Sequence, residues 1–534
     1  MNKRKPNVLL IVTDQQRADH LSCAGNALLR TPNIDALAEG GVRAQRFYAA
    51  STTCMSNRAT MMTGRLPSLH GVVHNGINLS RDHTTFVELL HASGYATALI
   101  GKSHLQSFGY DGPMRRQWVN SNDGTPPPAA LLDARKMQRA GEDYSNEWTP
   151  DWRSGKRSSV TTPYYGFEHV ELATFHGDQV DGDYAQWLAQ RHAAPDSLRG
   201  RAHALPAPQY SAPQAWRTAM PEALYPSAWV GERGSQWLKD HASQASEQPF
   251  FLKISFPDPH HPFTPPGRFW DMYAPEDVPL PASFGQPGDS QLLKDVHHFT
   301  QEGGSREGYG AYAVSARECQ ETVALTYGMI AMVDEQVGRL TATLRELGLD
   351  DNTVVIFTSD HGDMMGDHGI VLKGAMHFDG LTRVPFIWRD PAAKATGRLL
   401  DTPCGTLDIA QTILARCGLA PFNGMQGLNL LPWLNESEEP ATCERPGVII
   451  ESEPVVLPHG RTRRYRLRSL VNERWRLTIS NLPELCELYD LQADPLEQHN
   501  LWHEKAAERG QLCAKLLVEL SEQADRSPLP AAIA

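Results

Sequence analysis

Cys54 and Arg58 stand four residues apart in STTCMSNRATMMTGR (51–65), among small polar residues. A lone thiol is ordinarily a buried apolar filler, so it gains chemistry only from what converges on it. The candidates stand directly after four short apolar runs. NVLLIVT is followed by Asp14 and Gln15, YATALIG by Lys102 and His104, FFLKISF by Asp258 and His260, and TVVIFTS by Asp360, His361 and Asp363. Two carboxylates, an amide oxygen and an imidazole meeting at one edge suit a divalent cation with hard oxygen ligands. Singly, each has a plainer reading. An Asp after a strand caps a turn or helix, His361 can bond a carbonyl, and Lys102 and Lys373 can be surface charges. The conjunction at four strand ends is what favours a site.

The elements that must position these residues follow from the pattern around them. NVLLIV (7–12), YATALI (95–100), FFLKISF (250–256), TVVIFT (353–358) and VPFIW (384–388) read as buried strands alternating with amphipathic segments, the pattern of a largely parallel α/β sheet. In such sheets the carboxyl ends of the strands line one crevice, where residues distant in sequence meet. Ile330, Val333, Val337, Leu340, Leu344 and Leu347 follow helical spacing, with Gly348 as the stop. The expected fold is α/β, a large mixed, mostly parallel sheet flanked by helices, with a smaller C-terminal α+β unit. Residues 1–435 form the expected catalytic domain, interrupted by Pro-, Gly-, Asp- and Ser-rich insertions at about 106–230 and 283–316. Residues 436–534 form an antiparallel-sheet subdomain (GVIIES, RYRLRSLV, RWRLTIS, ELYDL) and a tail. The insertions are candidates for substrate loops or subunit contacts. Their aromatics (Phe108, Tyr110, Trp118, Trp148, Trp152, Tyr164, Tyr165) serve either a ring-binding pocket or loop anchoring.

Composition narrows the partners. A chain of 534 residues exceeds what one core holds. With 62 acidic against 50 basic residues and a net charge of −12, and no block of Lys or Arg, nucleic acid is not an expected partner. Eight dispersed cysteines without a CxxC pair argue against a zinc cage and a disulfide scaffold. The basic-then-apolar start MNKRKPNVLLIVTDQQR has too short an apolar run for a signal peptide, and no run spans a bilayer. The reading is a cytoplasmic protein with no membrane partner, and a homo-oligomer is compatible with the long insertions.

From about residue 6 to residue 505 the chain resembles the sulfatases of the alkaline phosphatase superfamily. The likeness runs through NVLLIVTDQQRAD, TPNIDALAEGGVR, CMSNRATMMTGRLPSLHGV, GYATALIGKSHL, FFLKISFPDPHHPF, TSDHGDMMGDHG and ELYDLQADPLEQHNL, in that order. It implies an alkaline phosphatase-like fold and an enzyme that hydrolyses sulfate monoesters, aryl or sugar/alkyl. In such enzymes the cysteine of a CxPxR or CxAxR sequence is oxidised by a maturation enzyme to formylglycine; Cys54 and Arg58 match its ends. A geminal diol suits the reaction, because one hydroxyl attacks sulfur and deprotonation of the other expels sulfate. By resemblance, Asp14, Gln15, Cys54, Asp360 and His361 hold one divalent ion, Ca2+ or Mn2+ with Mg2+ as a further option. Arg58 steadies the diol, Lys102 and Lys373 neutralise the sulfuryl oxygens, His104 is the base that breaks down the covalent sulfo-enzyme intermediate, and His260 is the proton donor to the leaving oxygen. Asn75 contacts a substrate oxygen. The PHxPF register selects His260 over His261.

Two positions depart from the family. Ser56 stands where the maturation motif has Pro or Ala, and Gln15 replaces the second aspartate common in arylsulfatases. A Gln at that position is also familiar in phosphonate monoester and phosphodiester hydrolases of the superfamily, which makes them the alternative and crossover toward their esters reasonable. Lys102 and His104 favour the sulfatase, since those hydrolases carry tyrosine and threonine there. A third reading is a binding protein in which Cys54 stays a thiol; it predicts no turnover even with metal supplied.

Overall fold

The computed structural model describes residues 4–522 apart from 110–127, 129, 131–137, 245–246, 395, 436–444 and 455–458. Tyr110, Trp118, the expected boundary near residue 435 and the tail beyond residue 522 touch or lie in the segments outside the described residues.

The strands run in chain order as β1 (Asn7–Thr13), β2 (Val42–Ala44), β3 (Phe47–Tyr48), β4 (Ala96–Lys102), β5 (His169–Thr174) and β6 (Asp181–Gly182). Then follow β7 (Phe250–Ser255), β8 (Tyr312–Ala313), β9 (Thr353–Ser359), β10 (Ile370–Val371), β11 (Phe386–Arg389), β12 (Arg398–Leu400) and β13 (Cys404–Gly405). The last four are β14 (Val448–Ser452), β15 (Leu467–Val471), β16 (Trp475–Ser480) and β17 (Glu487–Asp490). Nine strands make the central sheet in the order β12-β2-β11-β9-β1-β7-β4-β5-β6. Its middle, β9-β1-β7-β4-β5, is wholly parallel, while β11 and β6 run against their neighbours β9 and β5. Of these, β9, β1, β7 and β4 are buried on both faces, so they read as continuous apolar runs.

Helices cover both faces. Against one pack Pro32–Glu39, Pro226–Ser243 and Ala316–Glu346; against the other, Cys54–Thr63, Phe86–Ala92 and Ile409–Arg416. The expected helix ending at Gly348 begins at Ala316, fourteen residues before Ile330, the first residue of its apolar spacing, because Ser315 and Glu318 form a capping box: the Ser315 hydroxyl accepts the Glu318 N–H and the Glu318 carboxylate accepts the Ser315 N–H. The strands β14 to β17 form a separate antiparallel sheet, with the helix Ala506–Glu522 against it.

The stretch 106–230 is not wholly an insertion into the catalytic domain's sheet. It supplies β5 and β6 to the sheet edge and the helix Asp183–Arg191 beside them. The β5 sequence HVELAT carries a His and a Glu among its apolar residues, and its first three residues are only half-buried, so it lacks the continuous apolar run of a central strand. Within this stretch Trp152, Tyr164 and Tyr165 are buried, which makes them anchors of the segment rather than a ring-binding surface.

Candidate active site

The parallel middle of the sheet brings the ends of β1, β4, β7 and β9 together, and the residues that follow them converge on Cys54. The thiol opens the helix Cys54–Thr63, and every residue of that helix is buried. Lys373 Nζ donates to Cys54 Sγ at 2.8 Å, His361 Nε2 lies 3.0 Å from the sulfur, and Asp14 Oδ1 lies 3.8 Å away. Lys373 also reaches His260 Nε2 at 2.9 Å and His361 Nε2 at 2.8 Å. Burial and Asp14 press the thiol toward its neutral form, but Lys373, His361 and Lys102 outweigh them and hold its pKa below the ordinary value.

One helical turn on, Arg58 ties the carboxylates in place. Its Nε donates to Asp360 Oδ2 at 2.7 Å, one terminal nitrogen to Ser255 Oγ at 2.8 Å and the Lys102 carbonyl at 3.0 Å, and the other to Asp14 Oδ2 at 3.2 Å. Gly101 makes room for this arrangement: it has positive φ, and a Cβ there would collide with the Ser255 carbonyl. Lys102 Nζ donates to Asp14 Oδ2 and sits 2.6 Å from His176 Nε2. Burial would raise the Asp14 pKa, but the Lys102, Arg58 and Lys373 cations together hold it well below the carboxylate range.

Asp14, Cys54, Asp360 and His361 are buried, and their ligand-type atoms all lie within 4.8 Å of one another, a constellation that can hold a metal ion. Gln15, at φ 67°, directs its Nε2 to Asp363 Oδ2 at 2.6 Å and to His261 Nδ1 at 3.2 Å. Its Oε1 is left buried without a partner, the state expected of an oxygen reserved for a cation. Asp363 itself accepts the Met365 and Leu372 N–H groups and so orients Gln15 rather than facing the thiol. Asp258 turns away to Ser227 and Tyr225, and burial pushes its pKa up to about 7.

The imidazoles stack. His176 lies on His260 with ring centroids 3.6 Å apart, His260 on His261 at 4.1 Å, and His104 on Phe108 at 3.9 Å. Burial, reinforced by Lys102 for His104 and His176 and by Lys373 for His260 and His261, holds all four well below the usual histidine range, so they are neutral at pH 7. His260 Nδ1 meets the His261 carbonyl at 2.6 Å, which turns its Nε2 toward Lys373. Of the two neighbours, His260 is the one beside Lys373. Asn75 is half-buried, and its Oδ1 accepts the Met55 N–H at 3.1 Å on the first turn of the Cys54 helix.

The sequence reading missed His176, Ser255, Asn57 and Tyr309. His176 follows β5 by two residues and obeys the same strand-end rule as the others, but its strand lay inside an apparent insertion. Asn57 donates to the Asp360 carbonyl and accepts the Ala50 N–H at 3.0 Å, fastening the helix to the end of β9. Tyr309, 46% exposed, stands with its ring 5.7–6.2 Å from His176, His260 and His261 at the mouth of the site.

The family model described as Sulfatase matches residues 6–419, and that of the N-sulphoglucosamine sulphohydrolase C-terminal region matches residues 366–526. The chain is 29% identical to the arylsulfatase of Clostridium perfringens over 81% of this chain and 79% of that protein. It is 27% identical to the choline-sulfatase of Rhizobium meliloti over 94% of this chain and 83% of that one. In three dimensions it is similar to the phosphonate monoester hydrolase of Agrobacterium radiobacter, with a TM-score of 0.74 and 27% identity, covering 98% of this chain and 97% of that one.

Proposed function

This chain belongs to the sulfatase family, and from that premise we propose that it hydrolyses sulfate monoesters, aryl or sugar/alkyl, at the Cys54 site. The observation that carries the reading is the cationic setting of a buried thiol at a helix start, with Lys373 2.8 Å from the sulfur and Arg58 and Lys102 holding Asp14. In the proposed enzyme Cys54 is converted by a maturation enzyme to formylglycine, whose hydrate supplies the nucleophilic hydroxyl.

The residues present fit a divalent ion: four buried ligands cluster within 4.8 Å and Gln15 Oε1 is unpartnered. Asp14, Gln15, Asp360, His361 and the modified Cys54 would hold it, with Ca2+, Mn2+ and Mg2+ as the candidates. Bound there, it would lower the pKa of the attacking hydroxyl and draw charge from the sulfuryl oxygens. Lys102 and Lys373 neutralise those oxygens as charge develops, and Arg58 keeps Asp14 and Asp360 aligned. His260 gives a proton to the leaving oxygen; it is neutral in the structure, and an arriving anionic ester favours its charged form. His104 takes the proton whose loss expels sulfate, and Asn75 contacts a substrate oxygen.

Gln15, with one negative charge fewer than an aspartate, and the fold shared with a phosphonate monoester hydrolase support a second reading, hydrolysis of phosphonate monoesters or phosphodiesters at the same residues. Comparing kcat/KM for an aryl sulfate and a phenyl phosphonate ester with one leaving group tests the choice. The proposal expects the sulfate to be preferred; a large preference for the phosphonate overturns it.

A further inference from the structure

We propose that Glu147 is the positioning residue of His104, holding the loop after β4 so that this imidazole is presented to the nucleophile; the inference rests on the sulfatase reading above. Glu147 is fully buried, and its carboxylate accepts three successive N–H groups, from His104 at 2.7 Å, Leu105 at 2.9 Å and Gln106 at 2.8 Å. The Tyr164 hydroxyl donates to the same carboxylate at 2.5 Å. Burial raises the Glu147 pKa, and these donors oppose it. Three consecutive amides converging on one carboxylate form a concave anion nest, in which the ligand is a side chain of the protein.

The nest has a reason to exist at this place. His104 has φ 59°, a left-handed conformation unfavourable for a residue with a Cβ. Such strain persists only where surrounding contacts over-determine it, and Glu147 supplies those contacts. A catalytic histidine is commonly aimed by a partner on its second nitrogen, yet His104 Nδ1 is buried without one. Its aim therefore comes from the backbone and from the Phe108 ring stacked on it. Two further bonds clamp the segments together: Gln106 Nε2 donates to the Asp143 carbonyl at 2.7 Å, and Asn146 N–H donates to Gln106 Oε1 at 3.0 Å.

The step at stake is release of sulfate. His104 takes the proton of the remaining hydroxyl on the Cys54-derived hydrate. The freed O–H electron pair forms the aldehyde C=O as the carbon–oxygen bond to the sulfuryl group breaks, and sulfate departs with that bonding pair. A misaimed His104 slows this step and leaves the first turnover intact.

The experiment uses the full chain with Cys54 conversion verified by mass, comparing Glu147→Ala, Glu147→Gln and His104→Ala on a chromogenic aryl sulfate. In Glu147→Ala, release of the first equivalent of phenol stays within a few-fold of wild type, while steady-state kcat falls on the order of 10²-fold. The quenched Cys54 peptide then carries a sulfuryl group, and the amides of His104, Leu105 and Gln106 lose exchange protection while β4 keeps its own. Glu147→Gln retains one carbonyl acceptor and falls between, which keeps the test alive if the alanine variant does not fold. Adding Glu147→Ala to His104→Ala costs nothing further. Equal loss of first and later turnovers, additive losses, or unchanged amide exchange overturns the proposal. If wild type shows neither a burst nor sulfate turnover, it is the sulfatase reading that falls, and amide exchange still decides whether Glu147 holds the loop.

Discussion

Ser56 shows how a residue can matter to the site without touching it. It follows Cys54 by two positions in the first helical turn, is fully buried, and its hydroxyl has no hydrogen-bond partner. A buried, unmatched hydroxyl costs about 1–3 kcal/mol, so Ser56→Ala should raise the unfolding free energy by about 1 kcal/mol in a denaturant titration, with kcat per converted Cys54 unchanged. A loss of stability would contradict this. Legible from the strand pattern were the site residues at or shortly after the ends of long apolar strands: Asp14 after β1, Lys102 at the end of β4, His260 five residues past β7 and Asp360 after β9. Glu147 and Ser255 were not, since a Glu in a loop and a Ser at a strand end look like any others until the fold sets them beside His104 and Arg58.

Among the elements, the loop carrying Lys373 depends on the C-terminal sheet. His377 is buried with Nδ1 2.7 Å from Ser469 Oγ in β15 and Nε2 2.9 Å from Ser452 Oγ in β14, and Thr52 donates to the Gly374 carbonyl at 2.8 Å. Burial, with Arg476 and Arg468 nearby, holds His377 well below the usual histidine range. It stays neutral in the fold, while in the unfolded chain it takes up a proton below about pH 6.5. The stability it contributes is therefore complete above that pH and is lost as pH falls. The glutamine of His377→Gln does not titrate. The stability advantage of wild type over that variant should thus shrink by about 1.4 kcal/mol between about pH 7.5 and about pH 5.5, measured by denaturant unfolding. A gap that stays constant would mean that His377 titrates alike in both states. The β5 strand, by contrast, was illegible: its first four residues alternate polar and apolar beside the edge strand β6, and the Pro- and Gly-rich text around it reads as loop.

At the scale of the molecule, the strand order is what no stretch of sequence states. Placing β1 between β9 and β7 brings residues 14, 360 and 260 within reach of a thiol at residue 54, in a chain of net charge −12 whose site is lined by Arg58, Lys102 and Lys373. Three buried cations gathered beside one thiol in an acidic protein favour an anionic ester at that place. Among the described residues no helix is long and apolar enough to cross a membrane. The central claim is that this site works through a converted Cys54. The most direct measurement is the mass of the tryptic peptide FYAASTTCMSNR (47–58) in preparations of graded sulfate-ester turnover. The account predicts that the fraction carrying an aldehyde in place of the thiol rises in proportion to kcat. Turnover from protein whose peptide is entirely the thiol, or full conversion without turnover, would contradict it.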